Sequence, residues 1–331
     1  SLMDYLQAII LGLVEGITEY IPVSSTGHLI LAKSMMGLTG KAIDPYLIVI
    51  QGGAILAVLG LYRKRVGTMI QGLLGKHSVG LKLAMNLMIA FLPAAVFGFM
   101  FDDMIEAALF KPIPVIGALA VGGVLMIVAA RWQRNAFQEG PDGKSFINIE
   151  HLTWKHALII GLLQCLAMWP GTSRSMMTIV AGMAVGMKPK HAAEFSFLLG
   201  LPTLGGATVF KLVKDSEALS TLSVGPMLIG ILIAFISAAI AIKWLVAYLS
   251  KHGLALFGWY RIVLATVLAI GMHNGYFVLE GNNSASTEKG GETISSTCAP
   301  VTFEIDHCPA LPVAIHTMPS IMTGPTTDCQ W

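Results

Sequence analysis

Six long apolar stretches recur along the chain, near 44–62, 83–101, 113–131, 194–212, 225–249 and 254–273. A helix needs roughly 20 apolar residues to cross about 30 Å of hydrocarbon, so each stretch predicts a membrane-spanning helix. Two further stretches, near 4–36 and 155–187, are apolar but interrupted at their centres. The interruptions read Pro22-Val23-Ser24-Ser25-Thr26-Gly27-His28 and Pro170-Gly171-Thr172-Ser173-Arg174-Ser175. Turn-forming and polar residues in mid-stretch predict a loop between two half-helices in each case.

The interrupted stretches resemble one another. Ile10-Leu11-Gly12-Leu13-Val14-Glu15 matches Ile159-Ile160-Gly161-Leu162-Leu163-Gln164. With a one-residue gap, Tyr20, Pro22, Ser24 and Ser25 fall on Trp169, Pro170, Thr172 and Ser173. Downstream, Ile89-Ala90-Phe91-Leu92-Pro93-Ala94-Ala95 parallels Ile233-Ala234-Phe235-Ile236-Ser237-Ala238-Ala239. If each broken segment enters and leaves by one face, each half crosses the membrane three times, and the second half is inverted relative to the first, as in transporter folds. The expected fold is an all-α integral membrane protein, an inverted-topology repeat with six transmembrane helices and two broken re-entrant helix-loop-helix segments. Its parts are a first membrane repeat at 1–135, a cytoplasmic linker at 136–154, a second, inverted repeat at 155–279 and a disordered or appended tail at 280–331.

Composition agrees with a lipid environment: 55% of residues are apolar and 12% charged, with a mean hydropathy of +0.72, against about 25% charged in a soluble domain. The formal net charge of +2 is small and scattered, which excludes a nucleic-acid partner that would need a basic stripe. Asp4 and Glu15 flank or interrupt the first apolar run, so it does not read as a cleaved secretory signal. Placing the N-terminus outside puts Arg63, Lys64, Arg65, Lys76, Lys82, Arg131, Arg134, Lys144, Lys155, Lys188, Lys190, Lys243 and Lys251 inside, the side that short basic loops favour. Cys165 and the tail's Cys298, Cys308, Cys329, His307 and His316 show no metal-ligand spacing.

Ionisable groups at membrane depth are costly and need partners or a watery cavity. Glu15, Glu19, His28 and Arg174 all fall in the broken segments. Glu15 and Glu19 are four apart, on one helix face, where paired carboxylates can hold a hard divalent cation, Mg2+ or Ca2+, or one can accept a proton. Ser25 and His28 are three apart at the start of a half-helix, a spacing that suits a nucleophile and its base, although Ser-Ser-Thr-Gly-His is equally a helix cap. Thr172, Ser173, Arg174 and Ser175 open the other half-helix, where free backbone N–H groups attract anions and an arginine fork fits phosphate oxygens.

Glu15-Gly16-Ile17-Thr18-Glu19-Tyr20-Ile21-Pro22-Val23-Ser24-Ser25-Thr26-Gly27-His28 and Pro170 through Thr178 resemble the two signatures of the undecaprenyl-pyrophosphate phosphatase family, the bacterial bacitracin-resistance proteins. The resemblance covers about 4–279. It implies hydrolysis of undecaprenyl pyrophosphate to undecaprenyl phosphate and inorganic phosphate, recycling the lipid carrier of cell-wall synthesis. It also implies divalent-cation dependence, shorter prenyl pyrophosphates as further substrates, and a multi-pass protein of the bacterial plasma membrane whose site opens extracytoplasmically. By motif position Ser25, His28, Glu19 and Arg174 are the catalytic set. Glu15, Ser24, Thr26, Gln51, Thr172, Ser173, Ser175 and Thr178 are the substrate-binding set, and Glu15 and Glu19 the cation ligands. Met176 departs from the pattern, standing where a small glycine is expected, and its bulk is expected to narrow the phosphate pocket. Beside the substrate, the expected partners are the bilayer and, as an open alternative, a second copy in a homodimer. The first-choice mechanism is attack by Ser25 with His28 as base, with phosphohistidine or direct water attack left open. The rival function is a polyprenyl-phosphate flippase or transporter.

Overall fold

The computed structural model describes residues 4–38, 43–109, 112–136, 146–214 and 223–274. The tail expected from 280 onward and residues 137–145 of the 136–154 linker lie outside the described residues. Eleven α-helices carry the described chain: α1 (Tyr5–Tyr20), α2 (Ser25–Met35), α3 (Ile43–Leu61), α4 (Arg63–Leu73), α5 (Ser78–Leu109), α6 (Pro112–Ala136), α7 (Trp154–Gln164), α8 (Arg174–Ala184), α9 (Pro189–Lys214), α10 (Val224–Leu249) and α11 (Ala255–His273). Short 3-10 turns occupy Ile149–His151 and Cys165–Met168.

Among the described residues five helices are long and apolar enough to cross a membrane: Ser78–Phe101, Ile113–Asn135, Pro189–Phe210, Val224–Leu249 and Ala255–His273. α3 makes a sixth if it is taken with α4, from which it is bent by 80°. These are the six stretches expected from hydropathy. Large apolar side chains such as Leu92, Val121, Val128, Val263 and Val267 remain exposed on them. In water that would be an aggregation hazard, whereas in lipid it is the expected outer surface. α4 begins Arg63-Lys64-Arg65 and exposes Ile70 and Leu73, the composition of a helix lying along the interface rather than across it.

The two interrupted stretches form half-helix pairs, α1 with α2 and α7 with α8. Asp4 starts α1 through a capping box with Gln7, and Thr153 starts α7 through one with His156. Each leading half-helix packs on a span from the other half of the sequence, α1 on α10 and α7 on α5. Glycine permits both contacts: a Cβ on Gly12 would lie 2.6 Å from the Gly230 carbonyl oxygen, and one on Gly161 would lie 2.5 Å from that of Ala90. Small residues of this kind let helix backbones approach where no hydrophobic drive exists between them.

Part of the linker is docked rather than loose. The Ile147 amide donates to the Gly186 carbonyl at 2.9 Å, Asn86 Nδ2 to Leu152 O at 2.8 Å and Lys82 Nζ to Glu150 O at 3.0 Å. Residues 146–152 therefore seal the basic end of α5 against the α8–α9 turn.

Candidate active site

Ser24 and Ser173 share one unusual backbone conformation. Each has φ 75°, with ψ 98° and 116°, and they are the only non-glycine residues with positive φ among those described. That region costs an L-residue on the order of 1–3 kcal/mol and is retained where surroundings impose it, often at functional sites. Both serines cap the half-helix that follows: Ser24 Oγ accepts from the Gly27 amide at 3.4 Å, and Ser173 Oγ from the Met176 amide at 3.3 Å. Their equivalence resets the register of the two breaks. Without any gap, Ser24 answers Ser173, Ser25 answers Arg174 and Pro22 answers Gly171; the one-residue gap expected from the sequence displaced each pair, because matching the prolines outweighed the caps.

The half-helix that begins with Ser25 and the one that begins with Arg174 meet at Glu19. Ser25 Oγ donates to Glu19 Oε2 at 2.8 Å, and Arg174 Nη2 donates to Glu19 Oε1 at 3.2 Å. The ion pair is nearly sealed, with side-chain exposures of 10% for Arg174 and 5% for Glu19. Arg174 is held from behind by Nη1 donating to Ser196 O at 2.9 Å, and its guanidinium lies 5.6 Å from the Tyr20 ring centroid. Thr178 completes the support, donating to Arg174 O at 2.9 Å and lying 2.6 Å from Ser196 Oγ. Ser175 crosses to the first break, donating to Ile21 O at 3.4 Å, and Ser173 Oγ lies 3.1 Å from Ser175 Oγ.

Three buried polar atoms around this cluster have no hydrogen-bond partner among the described residues: Glu15 Oε1, Tyr20 Oη and Arg174 Nε. A buried acceptor or donor left unmade is costly, and a carboxylate oxygen beside an arginine N–H edge reads as provision for a bound group. Glu15 is 1% exposed and one helical turn before Glu19. Among the described residues no group of three or more His, Cys, Asp or Glu side chains gathers in metal-holding geometry. Two carboxylates suit a cation that draws its remaining oxygens from substrate phosphate and water, as Mg2+ commonly does.

His28 is placed differently from its expected role. Its Nδ1 lies 2.8 Å from Ser24 O and its Nε2 2.7 Å from Tyr260 Oη, so both ring nitrogens are engaged away from Ser25. A carbonyl can only accept, so Nδ1 carries a proton and Nε2 faces the tyrosine hydroxyl. The group in position to receive the Ser25 proton is Glu19. Gln51 also stands apart from the cluster: its Oε1 accepts from Thr208 Oγ1 at 3.3 Å, bridging α3 to α9. Thr26 and Thr172 are half-buried at the two breaks, and the Thr172 amide closes its turn by donating to Trp169 O at 3.1 Å. Met176 is fully buried, in the core behind α8 and toward Gly122 of α6. Its bulk is taken up there rather than beside Glu19.

Four participants escaped sequence reasoning: Ser196, Tyr20, Tyr260 and Arg261. Arg261 had a usable signal, an arginine in the middle of an otherwise apolar span. The others look like ordinary helix residues until the packing is known.

The Bacitracin resistance protein BacA family model matches residues 8–267. The chain belongs to the BacA family. Among its curated relatives, the undecaprenyl-diphosphatase of Sorangium cellulosum is 45% identical over 268 residues, which cover 80% of this chain and 86% of the relative. Undecaprenyl-diphosphatase 2 of Rhodospirillum rubrum is 44% identical, covering 81% and 95%. Undecaprenyl-diphosphatase 1 of Paraburkholderia xenovorans is 41% identical, covering 82% and 98%. The matched region contains both breaks and every residue of the Glu19 cluster.

Proposed function

We propose that this BacA-family membrane protein hydrolyses undecaprenyl pyrophosphate, and shorter prenyl pyrophosphates, to the monophosphate and inorganic phosphate. The observation that carries the chemistry is the Glu19 carboxylate, which accepts from Ser25 Oγ on one oxygen and from Arg174 on the other. The relatives, named as undecaprenyl-diphosphatases, favour this over the flippase reading.

The terminal phosphate sits between the N-termini of α2 and α8, where unpaired backbone N–H groups and the helix dipoles favour negative charge. Arg174 binds its oxygens. Ser25 Oγ attacks the terminal phosphorus while its proton passes to Glu19. The bond from phosphorus to the bridging oxygen breaks, and the prenyl monophosphate leaves with the electron pair. Glu19 gives that proton to the departing monophosphate. Water then cleaves the Ser25 phosphoester, Glu19 accepting the water's proton and returning it to Ser25 Oγ as the phosphorus–oxygen bond breaks, and inorganic phosphate departs. Phosphoryl transfer of this kind depends mainly on positioning and charge stabilisation. Glu15 and Glu19 would hold a divalent cation, which when bound supplies neutralisation of pyrophosphate charge. His28, tied to Ser24 O and Tyr260, orients the first turn of α2.

In this reading the site opens toward the extracytoplasmic face of the plasma membrane, which the distribution of basic loops supports, and the halves 1–135 and 155–279 are inverted repeats. The matching serine conformations and the crossed packing of α1 and α7 support the repeat. Phosphate release from farnesyl pyrophosphate by the purified protein, with and without EDTA, tests the proposal. Release that the chelator abolishes and excess Mg2+ or Ca2+ restores is expected; headgroup movement in vesicles without any phosphate release would make the protein a carrier.

A further inference from the structure

Arg261 of α11 is completely buried, and it is among the largest side chains with no exposed surface. Among the described residues it pairs with no carboxylate. Its donors go to backbone carbonyls: Nη2 to Gly171 O at 2.7 Å and Ala118 O at 3.1 Å, Nε to Leu119 O at 3.3 Å and Nη1 to Pro22 O at 3.5 Å. Pro22 and Gly171 are equivalent positions in the gapless register of the two breaks, each two residues before its positive-φ serine. One guanidinium thus grips the same peptide in both loops and fastens them to α6. Room has been left for it, since a Cβ on Gly122 of α6 would lie 2.5 Å from Arg261 Nη2. Gly171 has φ 92°, and a Cβ there would lie 2.5 Å from Val115 O, so the second break is threaded tightly against α6.

A buried charge without a counter-charge is disfavoured, and an apolar residue would fill the space without that cost. What an arginine provides is five donors in a rigid planar fork, enough to serve carbonyls from three separate segments; a lysine has three donors on one flexible atom. We propose that Arg261 is a positioning residue, which by tying the Pro22 and Gly171 carbonyls together sets the spacing between Ser25 and Arg174 across the site.

The consequence for activity rests on the phosphatase reading above; the tie itself does not. Arg261→Lys keeps the charge and loses the fork, and Gly122→Ala displaces Nη2 without altering any polar group. Both are to be compared with wild type by thermal unfolding, by steady-state kinetics on farnesyl pyrophosphate and by hydrogen–deuterium exchange. In Arg261→Lys kcat is expected to fall about 100-fold with KM within about threefold, the signature of lost alignment rather than lost binding. Amide exchange in 20–28 and 170–178 is expected to rise about tenfold or more while α5 and α9 are unchanged. Gly122→Ala is expected to show the same pattern, smaller. A folded Arg261→Lys protein with wild-type kcat and unchanged exchange at both breaks overturns the proposal, as does exchange rising at one break alone. If Arg261→Lys does not fold, a folded Gly122→Ala protein with wild-type exchange at both breaks overturns it. If wild type releases no phosphate, the phosphatase reading falls and the exchange comparison alone decides the tie.

Discussion

Glu19 is the residue on which the site turns. Its two oxygens are shared between the hydroxyl that attacks and the guanidinium that anchors, so removing its charge disturbs proton transfer and phosphate binding together. Glu19→Gln is expected to lower kcat by about 1,000-fold or more. His28→Gln should cost no more than about tenfold, because both imidazole nitrogens are turned to structural partners. Equal losses in the two variants, measured side by side on farnesyl pyrophosphate, would restore His28 as the base. The sequence singled out Ser25, Glu19 and Arg174, which the fold brings together, because ionisable groups inside apolar segments are rare enough to stand out. It did not reveal who bonds to whom. A three-residue spacing suggested Ser25 with His28, yet Glu19, six residues from Ser25 and across the break, is the actual partner, because the chain reverses at Pro22 and only the fold brings the two together.

At the scale of elements, the breaks are built from the same parts twice: a capped leading half-helix, a serine held at φ 75° and an eleven-residue second half-helix. Ser24→Ala and Ser173→Ala each remove a cap and should destabilise by about 1 kcal/mol, seen as a lower unfolding midpoint in detergent. Matched effects are expected, as the caps are equivalent. The helix crossings give a second comparison. Gly12→Val and Gly161→Val each drive a side chain into a facing backbone and should cost about 1–3 kcal/mol, whereas Gly60, with open space where a Cβ would stand, should accept alanine within about 0.5 kcal/mol. If Gly60→Ala proved as damaging as the other two, the crossed packing of α1 on α10 and α7 on α5 would not be the source of stability. Hydropathy was enough to place the six long helices and both breaks. It could not place α4, whose basic start and apolar middle suit neither a span nor a loop, nor show that residues 146–152 dock, since that depends on single backbone hydrogen bonds.

The whole molecule joins two demands that usually conflict, a lipid-facing exterior and a charged interior. The exterior is supplied by the long helices, whereas Glu15, Glu19 and Arg174 lie in the two broken segments and Arg261 is bonded to both breaks. This arrangement predicts an orientation. In a background without the native cysteines, a cysteine at Gly37 should react with an impermeant maleimide added outside cells, and one at Lys76 should not; the reverse pattern would turn the protein over and bring the site to the cytoplasmic side. The likeness of the two broken segments was legible because sequence similarity survives between them. The register between the breaks was not, since a one-residue gap matched more letters than the conformation allows.

The most direct test of hydrolysis at the joined breaks is inorganic phosphate release from farnesyl pyrophosphate by wild type and by Ser25→Ala, both purified, folded and supplied with Mg2+. Steady release by wild type and a loss of about 1,000-fold or more in Ser25→Ala are expected; no release by wild type, or undiminished turnover without the Ser25 hydroxyl, would contradict it.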